Sequence, residues 1–168
     1  RSTDGGDTWD LSLLANGTLD DWLANDPEAR EMFGRGPADD APFKGQVNAL
    51  WSLGLHNGTL YAGAKPAALF ASKDQGATWE KVQGLSDHPS ADGWQPGAAG
   101  LVLHTIVGAP QEPDKLWVGI SAAGVFATED GGATWERRNR RSNAVSSEPH
   151  THADPTLGEC GHDIGFCV

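Results

Sequence analysis

The residues best suited to coordinate a metal lie near the end of the chain. They form a His-x-His pair and a Cys-x-His pair: His150, His152, Cys160 and His162. Imidazole and thiolate groups are the ligands that zinc and other divalent transition metals prefer. The spacing matches no standard zinc module, and a polar loop can hold the same residues without an ion. Two interpretations therefore stay open: a site for a divalent transition metal as cofactor, or a polar loop with no cofactor.

Paired carboxylates are a second source of chemistry, because a glycosidase needs two acidic side chains flanking the bond that it cleaves. The candidate catalytic residues are Asp87, Asp92 and Glu148, which lie outside the strands predicted below. The separation of two such carboxyl groups indicates whether the reaction retains or inverts the configuration of the sugar.

Several other polar and aromatic side chains are suited to bind a ligand: Lys65, His88, Trp94, Gln95, His104, Arg137 and Arg138. Trp94 lies among polar neighbours, which suits stacking on a sugar ring, although a tryptophan that buries its own loop explains the residue equally well. Lys65 offers a positive charge to an anionic ligand. Arg137 and Arg138 can clamp a carboxylate or act as solvated edge charges that discourage strand pairing.

The elements that position these residues are built from an internal repeat. Three eight-residue boxes share the pattern S/T-x-D-x-G-x-T-W and occupy residues 2–9, 72–79 and 128–135. The second and third boxes are 56 residues apart, from Asp74 to Asp130, and the first box is 70 residues before the second. The offset of 56 continues without a gap back to Leu60 and Leu116. Three agreeing copies indicate a protein made of repeats.

Each repeat predicts four antiparallel strands, so the predicted fold class is all-β. Asn57-Gly58 separates the first two strands and is a strong signal for a type I′ hairpin turn. The first complete repeat predicts the strands Ala49–His56, Thr59–Ala64, Ala68–Lys73 and Trp79–Val82. The second predicts Leu101–Val107, Lys115–Ser121, Gly124–Glu129 and Trp135–Arg138.

The residues that define the box have structural roles that follow from their chemistry. An aspartate carboxylate accepts N–H groups of a turn, glycine supplies a positive φ, and tryptophan covers the hairpin with a large apolar surface. We therefore assign structural rather than catalytic roles to nine residues: Asp4, Gly6, Trp9, Asp74, Gly76, Trp79, Asp130, Gly132 and Trp135.

The pattern S-x-D-x-G-x-T-W resembles the Asp-box, the bacterial neuraminidase repeat of sialidases, sortilin-type receptors and glycosyl-hydrolase-like propellers. The resemblance covers residues 47–138 and the fragment 1–10, and it is closest to bacterial sialidase-like repeat proteins. It implies a β-propeller of four-stranded antiparallel blades, which typically number four to eight. About two full blades lie in this sequence, so the remaining blades are expected in the same longer chain or in other copies.

The resemblance implies a module that binds a small molecule or a glycan, or alternatively an exo-sialidase-type glycoside hydrolase with catalytic residues partly outside this sequence. Sialidases use an arginine triad, a Tyr–Glu nucleophile pair and an acid/base aspartate. Tyr61, the only tyrosine, aligns with Trp117 in the repeat and is predicted to be a core residue, and no F/Y-R-I-P element is present. A metal-dependent hydrolase that uses the His/Cys loop is a further alternative.

The long insertions between blades are predicted to carry function, because long loops on a rigid scaffold commonly do so. The predicted order is a blade end at 1–10, an insertion at 11–46, a blade at 47–83, an insertion at 84–100, a blade at 101–138, and an insertion with a possible blade start at 139–168. Alternating strand direction predicts that the box turns and the first hairpin turns share one end of the sheets, and that the insertions share the opposite end.

Two details of these loops are predicted as well. In the first insertion, Asp26 caps a short helix that begins at Pro27 and continues to Phe33, and Trp22 and Phe33 pack it as a lid. In the second complete repeat, His104 lies near the start of the inner strand and is predicted to face the central channel of a propeller.

Composition excludes several classes of partner. The chain has 168 residues, of which 38% are apolar and 21% are charged, which is typical of one globular domain. The formal charge of −11 argues against nucleic-acid binding, which needs a basic surface. No apolar run approaches the roughly 20 residues needed to span a membrane. Because the sequence begins inside a box, a cytoplasmic and a secreted location both stay open.

Overall fold

The computed structural model describes residues 1–139 and contains two four-stranded antiparallel sheets joined in series. In the first sheet, the strands β1 to β4 are Ala49–His56, Thr59–Lys65, Leu69–Ser72 and Glu80–Lys81. In the second sheet, the strands β5 to β8 are Leu103–Gly108, Leu116–Ile120, Gly124–Thr128 and Glu136–Arg137. Each sheet is a simple meander in which sequential strands are neighbours. The predicted all-β class and the eight predicted strands are confirmed.

Two short helices form a hairpin between the first box and the first sheet. They are α1, Thr18–Asn25, and α2, Pro27–Phe33. The second was predicted, and its cap is confirmed because Asp26 accepts the backbone N–H of Glu28 at 2.9 Å. The first was not predicted, which is a correction to the sequence analysis. Its N-cap is Gly17, which has no side chain to cap the helix, so the usual start signal is absent.

The helical hairpin is held together by a small apolar contact of its own. Trp22 and Phe33 meet edge to face with ring centroids 5.6 Å apart, as the sequence analysis expected. Leu23 of α1 and Ala29 of α2 are buried. Both aromatic rings nevertheless remain about half exposed. The contact between the two rings therefore stabilises the helical hairpin, although both rings remain in contact with solvent.

The apolar core of the described residues consists of two clusters. The larger cluster joins Tyr61 and Leu69 of the first sheet to Leu103 and Phe126 of the second. Tyr61 is buried in this cluster, which confirms its predicted role as a core residue. A smaller cluster around Phe70 holds the first insertion against the first sheet.

The two sheets come into very close contact at Gly63 of β2. A methyl group at this position would lie 2.4 Å from the carbonyl oxygen of Leu103 and 2.5 Å from its Cδ2 atom. Ser52 of β1 donates a hydrogen bond from Oγ to the same carbonyl, at 3.0 Å. Only glycine allows the backbones to approach this closely. Leu103 therefore inserts into the first sheet and fixes how the second sheet lies on it.

Each sheet has a β-bulge at the same place in its first strand. The register shifts between Leu50 and Ser52 in β1 and between Leu103 and Thr105 in β5. The extra residues are Trp51 and His104. A bulge releases its extra residue from the strict alternation of a strand and can aim its side chain in a new direction. The same irregularity in both copies makes it a feature of the repeat.

Among residues 1–139, no helix is long and apolar enough to cross a membrane.

Candidate functional site

The three boxes fold into the same turn, and each is closed by its aspartate. In the third box, Asp130 Oδ1 accepts the backbone N–H of Thr134 at 2.9 Å and Oδ2 accepts the Thr134 hydroxyl at 2.6 Å. The Thr128 hydroxyl donates to Oδ1 at 2.7 Å. Asp4 and Asp74 make the corresponding bonds in the other boxes. All three carboxylates are thus used within their own turns, in the structural role that the sequence analysis assigned to them.

These hydrogen bonds also set the ionisation of the box carboxylates. The side-chain bond from Thr134, followed by its backbone N–H and the Thr128 hydroxyl, lowers the pKa of Asp130 to about 2. The corresponding threonine and serine bonds lower the pKa of Asp4 and Asp74 still further. Groups that hold a proton so weakly are poor general acids at neutral pH.

The box tryptophans differ in how far they are covered. Trp135 is only 8% exposed and donates from Nε1 to the carbonyl of Gly132 at 3.0 Å. Trp9 makes the same bond to Gly6 but is 74% exposed. The difference arises because Trp135 packs into the core cluster that contains Leu85, which precedes its own sheet. A box tryptophan is therefore covered by the connection that enters its sheet.

The segment that follows each box makes contact with the next box. Ser12, eight residues after Asp4, donates from Oγ to the carbonyl of Gly76. Val82, eight residues after Asp74, makes an apolar contact with the equivalent glycine, Gly132. In both cases the residue eight positions after the box aspartate touches the box glycine of the next repeat. Arg138 is the corresponding residue after the third box.

The connection between the sheets crosses from one end of the structure to the other. It starts with the short helix α3, Gln83–Ser86, and contains a single 3-10 turn at Ala91–Gly93. Gly84 in α3 lies directly on the third box, because a methyl group there would be 2.2 Å from the carbonyl oxygen of Ala133. The prediction that insertions and box turns occupy opposite ends is therefore wrong for this first part. The helix α3 lies at the box end because it packs on the third box.

The later part of the connection does lie at the opposite end, near the turn between β2 and β3. Lys65 donates from Nζ to the carbonyl of Ala99 at 2.8 Å, and its side chain lies against Gly100. Gly97 approaches the Cβ atom of Ala122, in the turn between β6 and β7. Gln95 is exposed beside this region. Lys65 therefore helps to hold the connection, and its role toward an anionic ligand stays a prediction.

Trp94 is buried, so it does not offer the stacking surface that was one of its two predicted roles. Its ring packs against Phe126 at 5.1 Å and stacks on His88 at 6.5 Å between centroids. Its Nε1 atom donates to the Ser90 hydroxyl at 3.0 Å. The alternative interpretation, a tryptophan that packs its own loop, describes the structure. The indole has greater apolar surface than any neighbour in the loop, so burying it stabilises the connection.

His88 lines an open groove of about 430 Å³ between α3 and the third box. Its Nδ1 atom accepts the backbone N–H of Ser90 at 3.1 Å, which leaves the proton of the neutral ring on Nε2. Burial, and secondarily the positive charge of Arg137, lowers the pKa of His88. The groove therefore presents a neutral imidazole.

The two described carboxylate candidates lie in the same connection. Asp87 accepts a hydrogen bond from the Gln83 side chain at 2.8 Å and lines the groove beside His88. Asp92 is exposed in the 3-10 turn. Their assignment as catalytic residues stays a prediction.

The two arginine candidates have neighbours of their own at the end of the second sheet. Arg137 lies over the ring of Phe126, with its guanidinium carbon 5.7 Å from the centroid. Arg138 forms ion pairs with Glu136 at 2.9 Å and Glu129 at 3.7 Å. The carboxylates that Arg138 meets are thus those of its own sheet.

The predicted metal ligands and the third carboxylate lie outside the described residues: Glu148, His150, His152, Cys160 and His162. Within residues 1–139, no group of three or more histidine, cysteine or acidic side chains is arranged to hold a metal ion. The metal site stays a prediction.

Trp51 and His104 are equivalent bulge residues, although only His104 was predicted from the sequence as a site residue. The offset of 56 residues does not extend to the first strands, because the loop after β5 is longer than the Asn57-Gly58 turn. A tryptophan outside the boxes was the available signal. The equivalence of Trp51 and His104 appears only through strand pairing. Leu50 pairs with Ala64 and Leu103 pairs with Ile120, and Ala64 and Ile120 are equivalent in the repeat; Trp51 and His104 directly follow the two leucines.

No family model matches the chain, but a curated protein and several solved structures are similar to it. The relative is the oligoxyloglucan-reducing end-specific xyloglucanase of Emericella nidulans, 29% identical over 108 residues. The match covers 57% of this chain and 12% of that enzyme. One of the solved structures is the GH74 xyloglucanase from Xanthomonas campestris, with 22% identity and a TM-score of 0.41, covering 62% of this chain and 16% of that one. The chain thus corresponds to about an eighth of the length of its curated relative.

Proposed function

We propose that this chain is part of a glycoside-hydrolase-like β-propeller and binds a neutral glycan at the end of the sheets where the connection meets Lys65. The observation that carries the proposal is the sequence match to an enzyme named for its action on oligoxyloglucan. The chain also contains two consecutive four-stranded meanders of the same topology. Propellers are built by repeating such meanders around an axis.

An exposed sheet face supports the propeller part of the proposal. Leu50, Leu53 and Leu55 of β1 are 50%, 66% and 75% exposed. Strand pairing makes them equivalent to Leu103, Ile106 and Gly108 of β5. Leu103 lies against Gly63, Ile106 against Gly54 and Gly108 against His56 of the first sheet.

The first sheet therefore offers to solvent the face that the second sheet buries. The occupant that fits it is another sheet of the same repeat, with its own equivalents of Gly54 and Gly63. This sheet belongs to a further repeat of the protein or to a second copy. Burying this apolar surface would stabilise the stack, at roughly 25 cal/mol for each Å² removed from water.

The charges of the described residues favour a neutral glycan over sialic acid. Sialic acid carries a carboxylate that needs cationic partners, and the chain has a formal charge of −11. Lys65 is bonded to Ala99, and Arg138 is paired with Glu136 and Glu129. Exposed Gln95 and partly exposed His104 instead offer hydrogen-bonding groups that suit sugar hydroxyls.

Isothermal titration calorimetry with two sugars tests this proposal. The chain is titrated with a xyloglucan heptasaccharide and, separately, with 3′-sialyllactose. We expect saturable binding of the neutral oligosaccharide and none of the sialylated one. Binding of sialyllactose alone would replace the proposal with the sialidase-type alternative. Binding of neither sugar would remove the glycan-binding role.

A reducing-end assay on xyloglucan then separates a hydrolase from a binding module. Product formation that is lost in Asp92→Asn assigns an enzymatic role to the chain itself. Binding without product formation assigns to this chain the role of a glycan-binding part of the propeller.

A further inference from the structure

The bulges of β1 and β5 place two unusual side chains at one end of the structure. Trp51 is the extra residue in β1 and His104 is the extra residue in β5. Neither is a box residue, and neither belongs to the two apolar core clusters. Neither side chain is therefore part of the apolar core that the described residues form.

The two bulges are adjacent in space as well as equivalent in the repeat. Ser52 immediately follows Trp51, and Leu103 immediately precedes His104. The Ser52 hydroxyl donates to the Leu103 carbonyl at 3.0 Å, so the strands touch at the bulges themselves. Trp51 and His104 therefore lie side by side on the neighbouring strands β1 and β5. Both are close to the end of the sheets where Lys65 donates to the carbonyl of Ala99.

Both side chains reach solvent and have unused hydrogen-bonding atoms. Trp51 is 51% exposed and His104 is partly exposed. His104 shares a bond of 2.8 Å between Nδ1 and the Thr105 hydroxyl. Within the described part of the chain, neither His104 Nε2 nor Trp51 Nε1 has a hydrogen-bond partner. His104 keeps its exposure although the first sheet already packs against β5, so a bulge position stays open after a neighbouring sheet docks.

We propose that Trp51 and His104 together form a sugar-binding site, a deeper assignment that rests on the glycan-binding function proposed above. The indole face packs on the apolar C–H face of a pyranose ring, and its N–H group remains available at the edge. The imidazole hydrogen-bonds to a ring hydroxyl, with either nitrogen able to serve as donor or acceptor. A neutral hexopyranose, as in a β-glucan chain, is the chemical class that matches this pair.

The test uses calorimetry and NMR on the intact chain with the xyloglucan heptasaccharide as probe. We expect Trp51→Ala and His104→Ala each to weaken binding by at least tenfold, and Trp51→Phe to recover part of the loss because it keeps an aromatic face. The indole N–H signal of Trp51 shifts on titration of the wild-type chain. Trp22→Ala is the matched control, since Trp22 is similarly exposed, at 45%, but lies on the helical hairpin.

The outcomes distinguish this site from the broader function. Wild-type binding that both alanine variants retain would overturn the bulge site and leave the glycan-binding function standing. No binding by the wild-type chain would overturn both. A fall in affinity that Trp22→Ala shares would also overturn the site, because the effect would then not depend on the bulge. Thermal unfolding of each variant verifies that the sheets stay folded.

Discussion

Ser52 of the first sheet donates a hydrogen bond from its hydroxyl to the Leu103 carbonyl of the second sheet, at 3.0 Å. The bond lies where Leu103 inserts against Gly63, and one residue from each of the two bulges. The same few residues thus set the packing of the repeats and the position of the proposed sugar site. Changes here should separate stability from binding.

Leu103 and its equivalent Leu50 provide a matched pair for testing the sheet interface. Leu103→Ala should lower the free energy of unfolding by about 2–5 kcal/mol, because it empties a fully buried site. Leu50→Ala should cost less than about 1 kcal/mol, since that side chain is already half in water. Urea denaturation followed by circular dichroism measures both. Equal losses would show that the two faces are not the buried and open halves of one interface.

Gly63 should not accept any side chain. Gly63→Ala places a methyl group against Ser52 and the Leu103 backbone, and we expect a loss of about 1–3 kcal/mol from overpacking. Gly36→Ala is the control, because nothing lies within 4 Å of a methyl group at that position. Chemical denaturation of the two variants decides the matter: a Gly63→Ala protein as stable as the control would contradict the close approach.

The box of the second sheet should make stability depend on acidic pH. Because hydrogen bonds lower the pKa of Asp130 from 3.8 to about 2, its contribution is fully present above 3.8 and is lost as the pH falls toward 2. Thr134→Val removes the largest of these bonds and should raise the pKa of Asp130 toward 3.8. Carbon-13 NMR titration of the carboxyl groups measures the shift. Thr3→Val is the control: it changes a threonine of the first box that donates no bond to a carboxylate, and it should leave the titration of Asp130 unchanged.

His88 should remain neutral below the pH at which a free histidine gains its proton. Burial lowers its pKa from 6.5, so the stability it contributes is full above 6.5 and declines as the pH falls through its lowered pKa. Proton NMR of the ring across pH 5–8 measures the value directly. His88→Phe keeps a ring against Trp94 and Phe126, and should reduce the pH dependence of unfolding in this range. An ordinary titration near 6.5 would contradict the buried placement.

The box tryptophans should differ in their effect on stability despite their identical motif. Trp135→Ala should cost about 3–5 kcal/mol, as expected for a large buried aromatic side chain. Trp9→Ala should cost at most about 1 kcal/mol, because its ring is mostly in water. Thermal unfolding of the two variants measures the contrast. Similar losses would mean that the motif alone, rather than its covering, sets the stability of the turn.

The sequence by itself determined the repeat, the four strands of each sheet, the box turns and the cap of α2. These features depend on local chemistry: a carboxylate that accepts neighbouring N–H groups, an Asn-Gly turn, and a periodic apolar pattern. Such interactions join residues a few positions apart, so their spacing in the chain reveals them. Asp130 and Thr134, four residues apart, are the clearest case.

Only the tertiary structure decided which candidate side chains are open. Trp94 is covered by Phe126, 32 positions later, and Lys65 is held by Ala99. The equivalence of Trp51 and His104 depends on register shifts that no residue type announces. Burial and register are set by how one sheet lies on another, and the Leu103–Gly63 contact that governs this packing joins residues that are distant in the chain. The sequence therefore indicates the turns and strands, whereas the packing between sheets selects the surface available to a ligand.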